Sequence, residues 1–270
     1  MSTARLIAFG DSWTWGSELR DPSIPGLRED FDHRDSGYRL EHVWSSCLGR
    51  AIGRDDVINL AWPGCSNDTI LRSLTEWLIT QGYLQGQDPS RDLVAIGWTS
   101  PERRDFWFHD VDDPSCVDRG WLTMYPMWTH TYKHAAINRF SREYVRYWWH
   151  AAEYMHRYIN TIHRAQQLLE AAGVEYFMFQ AIYHHHQQLI TEWNDQQYQV
   201  QHELKISDAD RQIWQLIDGD RFMHKDQPLA TFHNHIIGDR DPREVLLISH
   251  PNELGHRLWA DHICDWLTQR

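Results

Sequence analysis

The chain has 270 residues, 41% of them hydrophobic and 13% aromatic, which is the composition of a packed globular protein and excludes a disordered one. Its 38 acidic against 26 basic residues give a formal charge of −12, so phosphate backbones are repelled and nucleic acid is excluded as an expected partner. No stretch comes near the roughly 18 uninterrupted apolar residues of a membrane span, which sets a membrane partner aside as well.

In chain order, short apolar runs bounded by turn residues fall at Leu6 to Phe9, Val57 to Leu60, Leu93 to Ile96 and Tyr176 to Phe179. Segments of helical periodicity, His42 to Ile52 and Thr69 to Ile79, lie between the early runs, and this alternation predicts βαβ units around a buried parallel sheet. The stretch from about 101 to 172 is too long for an ordinary connection. It reads as an aromatic-rich insertion in a single domain spanning 1–270, with one long helix from Asn138 to Ala171 ended by Gly173. A polar helical region, Gln187 to Ile217, has its start signal at Ser207 or Asp208. The last segment, Glu253 to Leu267, brings Leu254, Leu258, Ala260, Ile263 and Leu267 near one helix face after Pro251 and Asn252. The four cysteines stand far apart with no CxxC pair, and the start of the chain lacks the pattern of a signal peptide, so the expected location is the cytoplasm.

The strongest chemical signal is Phe9-Gly10-Asp11-Ser12, where the first strand ends and the chain turns toward the first helix. A serine there stands over the carboxyl edge of the sheet, where open α/β folds place their sites. A free hydroxyl is a weak nucleophile at neutral pH and needs a neighbour to take its proton, for which histidine is the usual choice. The sequence Ser249-His250-Pro251-Asn252 supplies one in the loop before the final helix, again at the sheet edge and 238 positions from Ser12.

Gly10-Asp11-Ser12, Asn59-Leu60-Ala61-Trp62-Pro63-Gly64 and His250-Pro251-Asn252 with Gly255-His256 resemble, in order and spacing, blocks I, II and V of the SGNH (GDSL-like) hydrolases. The resemblance covers both ends of the core and not the middle. It implies a three-layer α/β/α flavodoxin-like fold and a serine esterase acting through an acyl-enzyme. By position, Ser12 is the nucleophile, His250 the base, and the amides of Ser12 and Gly64 part of the oxyanion hole. The chain departs from the family pattern at two places. Thr99, in Gly97-Trp98-Thr99-Ser100, stands where the resemblance expects the oxyanion-hole asparagine, and Leu247 stands where it expects an acid three residues before the histidine. Asp239, Asp241 and Glu244 in the preceding loop are the candidates for the displaced acid, with a backbone carbonyl as the other way to orient the imidazole.

Trp13 and Trp15, beside the nucleophile turn, are candidates to wall a substrate site. His184 after the fourth strand and Arg103 after the third are further substrate-binding candidates, although ion pairing of Arg103 with Glu102 or Asp105 is the plainer reading. A metal is not expected, since His130 with His134 and the run His184 to His186 come with no HExxH pattern or cysteine partner. No cofactor is expected either. The expected substrate is a small ester or an acylated glycan, a carbohydrate O-deacetylase being the narrower form. The alternatives are a catalytically weakened glycan- or protein-binding module and an acyltransferase using the same serine.

Overall fold

The computed structural model describes residues 4–21, 23, 37–108, 120–126, 132, 134–182, 207–227 and 230–270. Among them, four strands form a parallel sheet: β1 (Arg5–Phe9), β2 (Asp56–Asn59), β3 (Asp92–Trp98) and, after a separate hairpin of β4 (Arg104–Trp107) and β5 (Trp121–Met124), β6 (Glu175–Gln180). The order across the sheet is β2-β1-β3-β6. Thus β1, which leads into Ser12, is central, and the switch in winding direction falls between β1 and β3, where parallel sheets open a crevice at their carboxyl ends.

Period-two alternation assigns the two faces. Ile7, Phe9, Val94, Ile96, Trp98, Tyr176 and Met178 turn to one side, against Ile70, Leu74, Leu78, Tyr158 and Ile162. These come from α4 (Asn67–Thr80) and α6 (Ala151–Ala171). Leu6, Ala8, Leu93, Ala95, Phe177 and Phe179 turn to the other, against Trp44, Leu48, Trp259 and Ile263. These belong to α3 (Trp44–Ala51) and α10 (Glu253–Thr268). The result is the expected α/β fold with a parallel sheet between helical layers. Both faces being covered explains why β1 and β3 read as unbroken apolar runs.

The remaining α-helices among the described residues are α1 (Ser12–Trp15), α2 (Gly37–His42), α5 (Ala135–Tyr147), α7 (Asp208–Leu216), α8 (Phe232–Ile237) and α9 (Pro242–Val245). Side chains chosen for capping start most of them: Ser66 accepts the amides of Asp68 and Thr69, Ser207 that of Asp210, Thr231 that of Asn234, and Asn252 that of Gly255. Ser207 is thus the start of α7, while the part of the predicted helical region ahead of it lies outside the described residues.

The single long helix expected over Asn138 to Ala171 is two helices. Trp148 leaves helical geometry, and His150 takes extended backbone angles and caps α6 by accepting the amide of Ala152. Sequence periodicity carries across such a break because His150 is a modest helix former with no Gly or Pro beside it. α6 packs on the sheet as a layer of the fold, and the hairpin β4–β5 with α5 forms a satellite through Phe106 against Phe140 and Tyr144. Among the described residues no helix is long and apolar enough to cross a membrane.

Candidate active site

The turn after β1 sets the first group. Asp11 caps α1 by accepting the amide of Trp13, and Gly16 ends the helix in left-handed geometry, so Ser12 is fixed at the first helical position over the carboxyl edge. Space at that edge is tight: a Cβ on Gly10 would lie 2.2 Å from Thr14 Oγ1, and one on Gly97 would lie 2.7 Å from the same atom. The two glycines let β1, β3 and α1 approach closely enough to hold the serine.

The second group arrives from the other end of the chain. Leu246 and Pro251 form an antiparallel bridge, and Leu247 N–H donates to the carbonyl of His250, closing a tight loop ahead of α10. That loop presents His250 Nε2 at 2.9 Å from Ser12 Oγ. The ring packs beside Trp13, with 6.4 Å between centroids. Ser12 and His250, separated by nearly the whole sequence, are therefore in hydrogen-bond contact.

The other imidazole nitrogen faces a residue that the sequence reading did not single out. Glu18 Oε1 is 2.8 Å from His250 Nδ1, and Oε2 accepts the backbone amides of Ile248, Ser249 and His250 at 3.0, 3.0 and 3.2 Å. Ser249 Oγ also donates to Oε1 at 2.9 Å. Burial works to raise the carboxyl pKa, but the Ser249 amide and the His250 imidazole outweigh it and hold Glu18 at about 2. The candidate acids Asp239, Asp241 and Glu244 do not fill this place. Asp241 instead caps α9 and pairs with Arg243 at 2.5 Å, and the Glu244 carbonyl accepts from Asn252. Only one signal in the sequence favours Glu18: it lies six residues after the serine, just beyond a helix-ending glycine.

Gly64 has φ 75° in the turn Trp62-Pro63-Gly64-Cys65, where Cys65 N–H donates to Trp62 O, a pattern in which glycine follows proline for conformational reasons. Trp62 N–H and Cys65 Sγ both donate to Gly10 O, which draws this turn against the serine turn. The amides of Ser12 and Gly64 donate to no atom among the described residues. Thr99 is a different matter. It is fully buried, and its hydroxyl donates to Asp11 Oδ2 at 2.6 Å while its amide donates to Asn67 Oδ1, so it braces the serine turn from below and does not face the cleft.

The proposed substrate-wall residues are also largely interior. Trp13 is packed edge-on against Phe232 at 5.1 Å, and Trp15 lies under the Arg39 guanidinium at 3.8 Å, both being buried. Arg103 is buried too, donating to Cys65 O and lying 3.6 Å from Asp11 Oδ2, while Asp105 pairs with Arg72. Bulky planar groups here stiffen the turn because their neighbours enclose them. His184, like His130, His185 and His186, lies outside the described residues. Among the described residues no three or more His, Cys, Asp or Glu side chains are arranged to hold a metal ion.

The fold and this edge together define an α/β protein with a serine, a histidine and a carboxylate in hydrogen-bonded series at the carboxyl end of a central parallel strand. A model for a family of unknown function, DUF6071, matches residues 23–270, and the chain belongs to that family. The match begins after Ser12 and Glu18. Comparison with curated proteins gives no match. Among solved structures, the chain is similar to the psychrotrophic esterase EstA from Pseudoalteromonas sp., inhibited by monoethylphosphonate in that structure. The identity is 13%, with 98% of this chain and 97% of that one covered and a TM-score of 0.48. It is also similar to a member of the lipolytic protein G-D-S-L family from Veillonella parvula DSM 2008, at 13% identity, 98% and 99% coverage and a TM-score of 0.46. A third similar structure is phospholipase A1 from Streptomyces albidoflavus NA297, at 12% identity, 99% coverage of both chains and a TM-score of 0.38.

Proposed function

We propose that the protein is a serine ester hydrolase in which Ser12 is the nucleophile and His250 the general base. The observation that carries this reading is the 2.9 Å contact between His250 Nε2 and Ser12 Oγ. Ser12 Oγ attacks the ester carbonyl as its proton passes to Nε2, and the tetrahedral oxyanion is received by the amides of Ser12 and Gly64. Nε2–H then protonates the departing alkoxide, leaving an acyl-serine. Water, deprotonated at the same nitrogen, attacks the acyl carbon, and collapse returns the serine hydroxyl and a carboxylic acid. Backbone donors suit this task because they are fixed before the charge develops, and each such donor is worth about 100- to 1000-fold in turnover.

The substrate in this reading is a small ester or an acylated glycan, acetyl esters of carbohydrates being the narrower form. An alcohol in place of water would make the same acyl-serine an acyltransferase intermediate. The free thiols of Cys47, Cys65 and Cys264 suit a reducing, cytoplasmic setting. The test is hydrolysis of p-nitrophenyl acetate together with fluorophosphonate labelling of the full chain. Turnover that disappears in Ser12→Ala, with the label mapped to Ser12, is the expected result. Equal background rates in both proteins, or a label on another residue, would overturn the reading.

A further inference from the structure

Glu18 combines two observations that a surface carboxylate does not share. Its backbone sits at φ 67°, a left-handed conformation that is uncommon for a residue with a long side chain, and its side chain is only 6% exposed. Such an outlier persists only where the surroundings over-determine it, and here they do. Three consecutive amides, those of Ile248, Ser249 and His250, converge on Oε2, while Ser249 Oγ and His250 Nδ1 converge on Oε1. An anchor for the loop would need only the three amides and the Ser249 hydroxyl. Oε1 is turned to the imidazole, and an ionised carboxylate can only accept, so Nδ1 must carry the proton and Nε2 must present its lone pair to Ser12.

We propose that Glu18, carried on the turn that follows the nucleophile helix, is the positioning residue that fixes the tautomer and orientation of His250. This rests on the reading of Ser12 and His250 as nucleophile and base. It moves the orienting acid from the histidine loop, where Leu247 occupies the place the sequence resemblance reserves for it, to the front of the chain. Nucleophile and acid then belong to one seven-residue unit, Ser12 to Glu18, and the histidine loop is assembled onto it by the same carboxylate that orients the ring.

The structure defines what an isosteric replacement does. In Glu18→Gln the amide oxygen has to accept the three backbone N–H groups, since an NH2 facing them would set donor against donor. The NH2 group is therefore left facing Nδ1. That nitrogen becomes the acceptor, the proton moves to Nε2, and Nε2–H points at Ser12 Oγ, which removes the base while keeping the shape. Comparable loss of the correct tautomer in the chymotrypsin triad lowers turnover about ten-thousand-fold.

The experiment compares wild type, Glu18→Gln and Glu18→Asp by nitrogen-15 NMR of the histidine tautomers and by ester turnover. Expected are an Nδ1–H tautomer for His250 in wild type and Nε2–H in Glu18→Gln. Turnover should fall at least 1000-fold in kcat with KM changed by less than threefold. Glu18→Asp, which keeps a carboxylate, should hold the Nδ1–H tautomer and recover at least tenfold of the lost rate. An unchanged His250 tautomer in a folded Glu18→Gln protein would overturn the proposal, as would a Glu18→Gln rate within threefold of wild type. The tautomer is read without turnover. Should wild type prove inactive on every ester while the tautomer still inverts, the hydrolase reading falls and the positioning role of Glu18 stands.

Discussion

At the scale of single residues, Thr99 shows how a family-based expectation and local chemistry part company. Its position after β3 makes it the expected substitute for an oxyanion-hole asparagine, but the hydroxyl is spent on Asp11, a fully buried carboxylate that also caps α1, the helix beginning at Ser12. Thr99→Val, of nearly equal volume, should therefore act on stability. Leaving a buried carboxylate oxygen short of a donor costs about 1–3 kcal/mol. The expected outcome is a clear fall in Tm by differential scanning calorimetry, with kcat reduced by less than tenfold. A loss of 100-fold or more at unchanged Tm would instead mark the hydroxyl as a transition-state donor. The contact between Ser12 and His250 was legible in the sequence because each stands at a strand or helix boundary with motif residues around it. Glu18 was not, since its significance lies in contacts 230 to 232 positions away and its own neighbours read only as a turn.

At the scale of elements, the apolar runs found β1, β2, β3 and β6 within a residue or two, most plainly for β1 and β3, which are covered on both faces and have no polar face to disguise them. The break between α5 and α6 escaped because it is made by a histidine cap and not by a proline or glycine. The hairpin escaped for another reason: its pairing is fixed by a polar hub and not by periodicity. Asp105, almost fully buried, accepts from Ser66, Thr69 and Thr123 hydroxyls at 2.7, 2.6 and 2.8 Å, tying β4 and β5 to the start of α4. The tight joint between β1, β3 and α1 carries its own prediction. In Gly10→Ala the new methyl meets Thr14 Oγ1 and Cβ on α1 and the carbonyl of Gly97 on β3, so making room for it displaces α1 or β3. Overpacking of this kind costs about 1–3 kcal/mol. The fluorophosphonate labelling rate of Ser12 should fall at least tenfold in a protein that still unfolds cooperatively. A labelling rate equal to wild type would show that the serine turn does not depend on this contact.

At the scale of the molecule, ionisable groups held in one state by folding set how the protein meets acid. His256 is buried under α3, accepts the Trp44 amide at Nδ1, and is pushed down to about 3 by burial and by the neighbouring His250. His262 is pushed down to about 4, first by burial and then by His235 and His224; its Nε2 is 2.9 Å from that of His224, and its ring stacks on His235 at 3.8 Å. For both, the folded pKa lies below the ordinary histidine value near 6.5, so the unfolded chain binds more protons between those values and stability falls as pH drops through that window. Glu18 adds to this lower down. Its folded value of about 2 lies below the ordinary 4.5, so its contribution is complete above about 4.5 and is lost between there and 2, on the order of 2 kcal/mol once partial solvent screening is allowed for. Acid destabilisation should therefore begin near pH 6.5, well before carboxylates titrate. His262→Phe keeps a flat ring for the stack on His235 and removes one titrating imidazole, so Tm measured from pH 7 to 4 should decline less steeply than in wild type. Parallel slopes for the two proteins across that range would show that the His224–His235–His262 stack does not resist protonation in the folded state.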